Sequence, residues 1–260
     1  MSTGKMTPEQ FDVHINTEDA HWWFVGRRSV VRSVLSAVIP AGEGRKVVEV
    51  GMGTGGNIAA LSEDYHAVGV DVDEYAVGLA RSRDTEAELL QGNILTDHAG
   101  SLVGADAVLL LDVLEHIEDA DAFFRDLFDL APNGAVFLIT VPADPKLWSP
   151  HDEHHGHYRR YTEATLRAHW EGLHVDEILV SYFNARLYPV VRAVRVITNL
   201  LGRTSGEAGT DLSMPPVPAN RLLAGVLGGE RHRLLRSIEK QTKPYRRGVS
   251  LVALIRKKAN

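Results

Sequence analysis

The chain has 260 residues, of which 44% are hydrophobic and 24% are charged, so it is long enough for one large domain or for one domain with an insertion. Its formal net charge of -6 argues against a nucleic-acid partner, because such binding usually needs a basic surplus. The absence of cysteine excludes disulfides, thiolate catalysis and cysteine-ligated zinc, and it favours a cytoplasmic location. The polar N-terminus and the lack of an apolar run near 20 residues lead us to expect neither a signal peptide nor a transmembrane helix.

Residues 1–44 contain the segment EDAHWWFVGRR, which spans 18–28. Three consecutive aromatic residues predict a helix that packs on the core. From residue 45 to 182, short apolar runs alternate with helix-like stretches, and this alternation predicts a mainly parallel sheet covered on both faces. The predicted strands are 46–50, 66–71, 87–92, 106–112, 133–142, 174–183 and 248–258, and the predicted helices in the core are 56–65, 74–83, 119–131 and 162–173.

Residues 183–247 interrupt the core before the last strand, which lies in 248–260. The stretch 187–201 has apolar residues at helical spacing, residues 202–220 read as a Gly/Ser/Pro-rich loop, and 221–240 reads as a second helix. Four arginines lie among or beside the apolar positions of the first helix: Arg186, Arg192, Arg195 and Arg203. We favour a helix that packs on the domain. Peripheral contact with an anionic membrane stays open.

The stretch VVEVGMGTGGNIAAL carries the most information about function. Gly51, Gly53 and Gly56 match G-x-G-x-x-G between a predicted strand and a helix. Asp71 follows about twenty residues later at the end of the next strand, where a carboxylate accepts ribose hydroxyls. This pattern fits nucleotide cofactors in general, including NAD.

Glu49 favours a ligand without phosphate. A carboxylate about 6 Å from a pyrophosphate would cost on the order of 3 kcal/mol per charge at an effective dielectric of about 20. S-adenosylmethionine carries an ammonium, a sulfonium and an adenosine but no phosphate. Asp112 adds a second carboxylate at the end of the fourth strand, on the sheet edge where open α/β folds bind ligands.

From about Val47 to Pro142 the sequence resembles the class I S-adenosylmethionine-dependent methyltransferases, and GVSLVALIRKK resembles their antiparallel last strand. The resemblance implies a doubly wound, Rossmann-like, seven-stranded α/β sheet. It also implies an N-terminal helical lid, with Arg27 or Arg28 reaching the methionine carboxylate, and a helical insertion that lines the substrate pocket. The implied cofactor contacts are Glu49, Gly51, Gly53 and Gly55 for the methionine part, Asp71 for the ribose, Val72, Asn93 and Ile94 around the adenine, and Asp112.

The segment DVLEHIED has the form acid-x-x-Glu-His, given by Asp112, Glu115 and His116. Many methyltransferases carry LEH here without a metal, as a cap and a wall of the cofactor pocket. In the small-RNA 2′-O-methyltransferases and the ubiquinone-pathway O-methyltransferases, these residues bind a metal together with a histidine from a later loop. His157, in HDEHHGHYRRYT, matches that fourth ligand. Asp112 departs from the pattern, because those relatives usually have the longer Glu.

Two carboxylates and two imidazoles suit Mg²⁺, Mn²⁺, Fe²⁺ or Zn²⁺ with open positions for substrate oxygens. Without a metal, His116 or His157 would be the general base. A solvated histidine-rich loop with neither role stays open. The sequence therefore predicts methyl transfer to a small-molecule or lipid-like acceptor, at oxygen in preference to nitrogen or carbon. The alternative is a non-catalytic S-adenosylmethionine-binding module whose insertion binds a partner or a membrane.

Overall fold

The computed structural model describes residues 6–42, 44–201 and 212–259. Its centre is a seven-stranded sheet in the order β3-β2-β1-β4-β5-β7-β6. The strands are β1 Lys46–Val50, β2 His66–Asp71, β3 Glu88–Gln91, β4 Ala107–Leu111, β5 Val136–Pro142, β6 Val175–Phe183 and β7 Ser250–Lys257. β7 is antiparallel to both β5 and β6, and the other pairs are parallel. The predicted sheet with its antiparallel last strand is confirmed.

Helices cover both faces of the sheet, as the apolar strands predict. In chain order they are α1 Pro8–Thr17, α2 Trp22–Ser36, α3 Gly56–Ser62, α4 Glu74–Ala80, α5 Ala120–Leu130, α6 Pro150–His154, α7 Glu163–Arg167, α8 Tyr188–Leu201, α9 Val217–Gly228 and α10 Arg231–Ile238. One core includes Phe124 and Leu127 of α5. The other joins Val34 of α2 and Ile58 of α3 to Leu227 of α9. The insertion therefore packs on the same face of the sheet as α2.

The structure corrects two predicted helices. The stretch 221–240 is not one helix, because α9 ends at Gly228 and α10 begins at Arg231. The buried Glu230 at this break accepts hydrogen bonds from the backbone N–H groups of Ala185 and Arg186. The predicted helix 162–173 is α helical only as far as Arg167 and ends in a 3₁₀ turn at 168–170.

The predicted loop 202–220 is also corrected at its end. Residues 202–211 lie outside the described part of the chain, and α9 begins at Val217, one residue after Pro216. Asn220, within this first turn, accepts from the Trp22 N–H at 2.8 Å and donates to the Ala20 carbonyl at 2.7 Å. The insertion thus holds the start of α2. Among the described helices, none has the length and apolar character required to cross a bilayer.

We expect Gly26→Ala to destabilise the contact between α2 and α9. A Cβ at Gly26 would lie 2.8 Å from Cβ and Cγ of Leu227, so one helix must shift. Overpacking of this kind costs about 1–3 kcal/mol in the free energy of unfolding. Gly78→Ala in α4 is the matched control, because its Cβ would meet nothing within 4 Å. The control should gain up to about 1 kcal/mol from helix propensity. Denaturant unfolding measures both, and equal stabilisation by the two substitutions would contradict the close contact.

Candidate active site

The candidate site lies at the edge of the sheet where β1, β2 and β4 end. The parallel register places Glu49 of β1 beside Gly69 of β2 on one side and Leu109 of β4 on the other. The loops that follow these strands therefore meet at one edge, as open α/β sheets require for a ligand site.

The glycine loop after β1 needs glycine for two different reasons. Gly53 has φ 55°, a left-handed conformation, while a Cβ there would meet nothing within 4 Å. Backbone conformation alone therefore favours glycine at this position. At Gly51, with φ 73°, a Cβ would also lie 2.7 Å from Cγ2 of Val113. Gly55 follows as the N-cap of α3.

Asp71 lies at the end of β2 and supports this loop. Its carboxylate accepts from the backbone N–H groups of Gly53 at 2.8 Å and Asp73 at 2.9 Å. Burial raises its pKa, although these hydrogen bonds oppose the shift. The next residue, Val72, leaves 56% of its surface exposed, which is unusual for a valine at a strand end. An apolar side chain here suits contact with a flat base.

The two residues predicted beside the adenine are less open to a ligand. Asn93 is exposed, but its side-chain oxygen already accepts from the Leu95 N–H at 2.8 Å. Ile94 is 2% exposed and belongs to the core. Their roles toward the cofactor stay predictions, and a side-chain contact from Ile94 would require the core to open.

Glu49 is buried beneath the glycine loop. Its Oε1 accepts from Nδ2 of Asn57 at 3.2 Å, and its Oε2 has no hydrogen-bond partner among the described residues. Burial raises the pKa of Glu49 to about 8, and the nearby Arg27 guanidinium only partly opposes this. A buried acceptor without a donor is costly, so this oxygen suits a ligand that brings a cationic N–H group.

Arg27 enters the site from α2 and pairs with Asp112. The Arg27 guanidinium lies 2.8 Å from the Asp112 carboxylate and donates to the Thr140 hydroxyl at 3.1 Å. That hydroxyl donates to Asp112 at 3.1 Å. Arg28 points elsewhere and donates to the Glu18 carbonyl. Of the two arginines predicted to reach the methionine carboxylate, Arg27 is the one that lies at this edge of the sheet.

Glu115, His116 and His157 come together as a group that can hold a metal ion. One ligand atom from each lies within 4.8 Å of the others. Glu115 and His116 belong to the 3₁₀ turn Leu114–His116, and His157 follows α6. Asp112, the other carboxylate predicted as a ligand, is outside this group, and its carboxylate pairs with Arg27. The set therefore consists of two imidazoles and one carboxylate.

Burial shifts the pKa values of Glu115 and His116. Burial and then the Asp112 carboxylate raise the pKa of Glu115 well above its usual range. Burial and then His157 lower the pKa of His116 to about 3. Oε2 of Glu115 has no hydrogen-bond partner among the described residues. A divalent cation here would offset the cost of the buried carboxylate and would bind neutral imidazole, so the donor set fits such an ion.

The histidine-rich segment 151–162 is folded. Most of its histidines are buried or half-buried, so the alternative of a solvated loop is wrong for them. Pro150–His154 forms α6, and Asp152 and His155 are 0% and 4% exposed. The Asp152 carboxylate accepts from Nε of Arg160 at 2.8 Å and lies 2.9 Å from Nδ1 of His157. His154 is exposed. Asp152 therefore fixes the ring that faces Glu115.

The N-terminal segment contacts both the histidine-rich segment and the glycine loop. Gln10 of α1 donates to the His154 carbonyl at 3.0 Å, and the rings of His14 and His155 are 6.0 Å apart. Glu18 accepts from the Thr54 hydroxyl at 2.6 Å and pairs with Arg83. Burial raises the pKa of Glu18, against the effect of Arg83. The only hint of these contacts in the sequence was the presence of acidic residues close to three aromatic residues within 18–24.

Comparison with known proteins gives consistent results. A family model described as "Methyltransferase domain" matches residues 26–188. A probable S-adenosylmethionine-dependent methyltransferase of Mycolicibacterium smegmatis is 27% identical over 149 residues, 55% of this chain and 58% of that protein. Phosphoethanolamine N-methyltransferase 1 of Arabidopsis thaliana is 32% identical over 114 residues, 40% of this chain and 22% of that protein. The chain therefore spans less than two thirds of the length of either relative.

Two solved structures show the same fold. The plantazolicin methyltransferase BpumL, in complex with a triazolic desmethylPZN analog and SAH, aligns with a TM-score of 0.57 at 11% identity, over 96% of this chain and 91% of that chain. A complex between the Haloferax volcanii Trm112 methyltransferase activator and a putative methyltransferase aligns with a TM-score of 0.55 at 17% identity, over 96% of this chain and 98% of that chain.

The family match covers more than half of the chain, and the sheet order, the glycine loop and the buried Glu49 agree with it. The chain belongs to the class I S-adenosylmethionine-dependent methyltransferases.

Proposed function

We propose that this chain methylates a hydroxyl oxygen of a small-molecule or lipid-like acceptor, with a divalent cation held by Glu115, His116 and His157. The observation that carries the proposal is that one ligand atom from each of these residues lies within 4.8 Å of the others. In addition, Oε2 of Glu115 is buried without a hydrogen-bond partner among the described residues. A cation at this position lowers the pKa of a bound hydroxyl, which makes it a better nucleophile.

The cofactor contributes an electrophilic methyl group on a sulfonium. On this chain, Oε2 of Glu49 would accept from the ammonium of the methionine part, since it is buried and lacks a donor. Asp71 would face the ribose, and the exposed Val72 would contact the adenine. At Gly53 a Cβ would meet nothing within 4 Å, so the methionine part could approach the loop of Gly51, Gly53 and Gly55 at this position. These roles extend the sequence prediction to specific atoms.

The residues around the cation site position its ligands. Asp152 contacts Nδ1 of His157, which leaves Nε2 as the ligand atom of that ring. The same contact would orient the His157 ring to act as the base if no cation is bound. His116 is poorly suited to act as a base, since burial lowers its pKa to about 3 and makes its protonated form unfavourable.

We also propose that residues 1–44 form a lid, that 45–182 and 248–260 form the cofactor-binding core, and that 183–247 line the acceptor pocket. The contacts of Glu18 with Thr54 and Arg83 support the lid.

We expect Glu18→Ala to weaken S-adenosylhomocysteine binding about tenfold, which equals about 1.4 kcal/mol. Calorimetric titration measures the affinity, with the exposed Glu86→Ala as control. Unchanged affinity in Glu18→Ala would contradict a lid at this position.

Transfer of a labelled methyl group tests the proposed function. Chelator-stripped protein is assayed with hydroxyl and amine acceptors, before and after Mg²⁺, Mn²⁺, Fe²⁺ or Zn²⁺ is restored. We expect transfer to hydroxyl acceptors that falls at least tenfold on chelation and recovers with the cation. Transfer that is insensitive to chelation, or confined to amines, would overturn the proposal. Retained cofactor binding without any transfer would favour the non-catalytic module.

A further inference from the structure

A cavity of about 480 Å³ lies at the edge of the sheet that carries the candidate active site. It is beside the ends of β5 and β6 and the start of β7. Four cationic side chains line it: Lys146, Arg192, Arg246 and Arg247. They come from three separate parts of the chain, namely the turn after β5, helix α8 and the segment before β7. The chain as a whole has a net charge of -6, so this local positive charge is not a general property of its surface.

The one acidic residue that lines the cavity, Asp144, offsets only one of these four charges. Asp144 accepts from the Tyr188 hydroxyl at 2.6 Å and from the Lys146 backbone N–H at 3.1 Å. The guanidinium groups of Arg192 and Arg247 lie close enough to Tyr188 to act on its pKa, which the bond to Asp144 raises. In the described ranges, the four cationic side chains form no ion pair with an acidic residue. The cavity thus retains an excess of unpaired positive charge.

A short segment connects this cavity to the proposed cation site. The Tyr158 N–H donates to the Glu115 carbonyl at 2.7 Å, and the Asp144 N–H donates to the Tyr161 carbonyl at 3.0 Å. Residues 158–161 therefore contact Glu115 at one end and the wall of the cavity at the other. A molecule bound in the cavity would lie at the edge of the sheet that also carries the cofactor loop.

We infer that this cavity binds a phosphate group carried by the methyl acceptor. Arginine presents a planar fork that pairs with two phosphate oxygens, and lysine binds phosphate as a point charge. Three arginines and one lysine around one space suit a dianion better than a single carboxylate. The assignment as an acceptor site rests on the proposed function, but the binding of phosphate does not.

Calorimetric titration of inorganic phosphate, at constant ionic strength with chloride as the reference salt, tests this inference. The variant is Arg246→Gln/Arg247→Gln, and the charge-matched control is Arg221→Gln/Arg236→Gln; all four positions are exposed. We expect stoichiometric binding to the natural protein and the control, and at least tenfold weaker binding to the variant. Equal affinity in all three proteins, or no binding to the natural protein, overturns the inference.

Two further measurements identify the source of the phosphate. Flotation with phosphatidylcholine vesicles containing phosphatidic acid, reversed by inorganic phosphate, would assign the cavity to a lipid headgroup. Displacement of inorganic phosphate by glycerol 3-phosphate, without flotation, would assign it to a soluble ester. Both results support the inference, and failure of both ligands to compete with inorganic phosphate overturns it.

The Glu115→Gln variant separates this inference from the proposed function. We expect it to retain phosphate affinity within about twofold, because Glu115 does not line the cavity. The proposed function also requires this variant to lose cation binding. Unchanged cation binding in the variant, with intact phosphate binding, would therefore count against the function alone. For a phosphorylated acceptor that is methylated, Arg246→Gln/Arg247→Gln should raise KM at least tenfold while kcat changes less than threefold. An unchanged KM overturns the acceptor assignment.

Discussion

Substitution of Glu115 by glutamine is expected to weaken divalent-cation binding at least about 100-fold, since loss of even an outer partner of a metal ligand costs 10–100-fold. Glu115 is the one carboxylate in the group with His116 and His157. Glutamine keeps the shape of the side chain but removes its charge. Titration of Mn²⁺ into chelator-stripped protein saturated with S-adenosylhomocysteine measures this effect, and His157→Ala should show a similar loss.

Two surface substitutions provide matched controls for this experiment. His66 is exposed at the start of β2, on the opposite edge of the sheet, and Glu86 is exposed before β3. His66→Ala and Glu86→Gln should leave cation affinity unchanged. Glu115→Gln should not lower the stability of the metal-free protein, because it replaces a carboxylate whose pKa burial raises. A loss of binding without a loss of stability would therefore be specific to the site.

Asp112→Asn distinguishes a three-ligand site from the four-ligand site that the sequence predicts. Because Arg27 holds the Asp112 carboxylate at 2.8 Å, we expect this variant to retain cation affinity within about tenfold. A loss as large as that of Glu115→Gln would mean that the ion displaces Arg27 and recruits Asp112. Unaltered Mn²⁺ binding in both Glu115→Gln and His157→Ala would contradict the cation site.

Local pattern in the sequence was sufficient to predict the sheet and the glycine loop. Apolar runs such as 107–111 are buried on both faces, and their composition reflects that environment directly. Gly53 adopts a left-handed φ, which glycine tolerates best, so the conformation is visible in the sequence as a glycine of the motif. Glu115 and His116 were predicted from one short motif, whereas the distant His157 was predicted from a family resemblance.

Contacts between distant side chains could not be predicted in the same way. Nothing near Asp112 indicates that Arg27 pairs with it across 85 residues, which gives the carboxylate a partner other than a metal. The cavity of Lys146, Arg192, Arg246 and Arg247 is equally nonlocal. The sequence alone does not indicate that these arginines and this lysine line one cavity, because they come from three separate parts of the chain. The break between α9 and α10 has a similar cause, because buried Glu230 binds backbone N–H groups from 185–186.

Substitution of Glu49 by glutamine is expected to remove a pH dependence from the stability of the ligand-free protein. Burial raises the pKa of Glu49 from the usual 4.5 to about 8. An acid with a raised pKa contributes stability below its unfolded pKa and loses that contribution as the pH rises through its folded pKa. The loss therefore falls between about pH 4.5 and pH 8, and it amounts to about 3–5 kcal/mol at pH 9.

Urea unfolding of the ligand-free proteins at pH 5 and pH 9 measures this difference. We expect the natural protein and Glu49→Gln to be similarly stable near pH 5, and Glu49→Gln to be the more stable at pH 9. Glu88→Gln, at an exposed position of β3, should follow the natural protein at both pH values. Parallel pH profiles for the natural protein and Glu49→Gln would show that Glu49 is not protonated in the ligand-free fold.

The same carboxyl group should release a proton when the cofactor binds. At pH 7 a group with a pKa of about 8 is mostly protonated, and an ammonium placed against its free oxygen lowers that pKa. Titration of S-adenosylhomocysteine in two buffers of different ionisation enthalpy should therefore report release of about one proton, since one group titrates. Glu49→Gln should bind more weakly and release none. Proton release that persists in Glu49→Gln would assign it to another group and would leave the ammonium without its proposed partner.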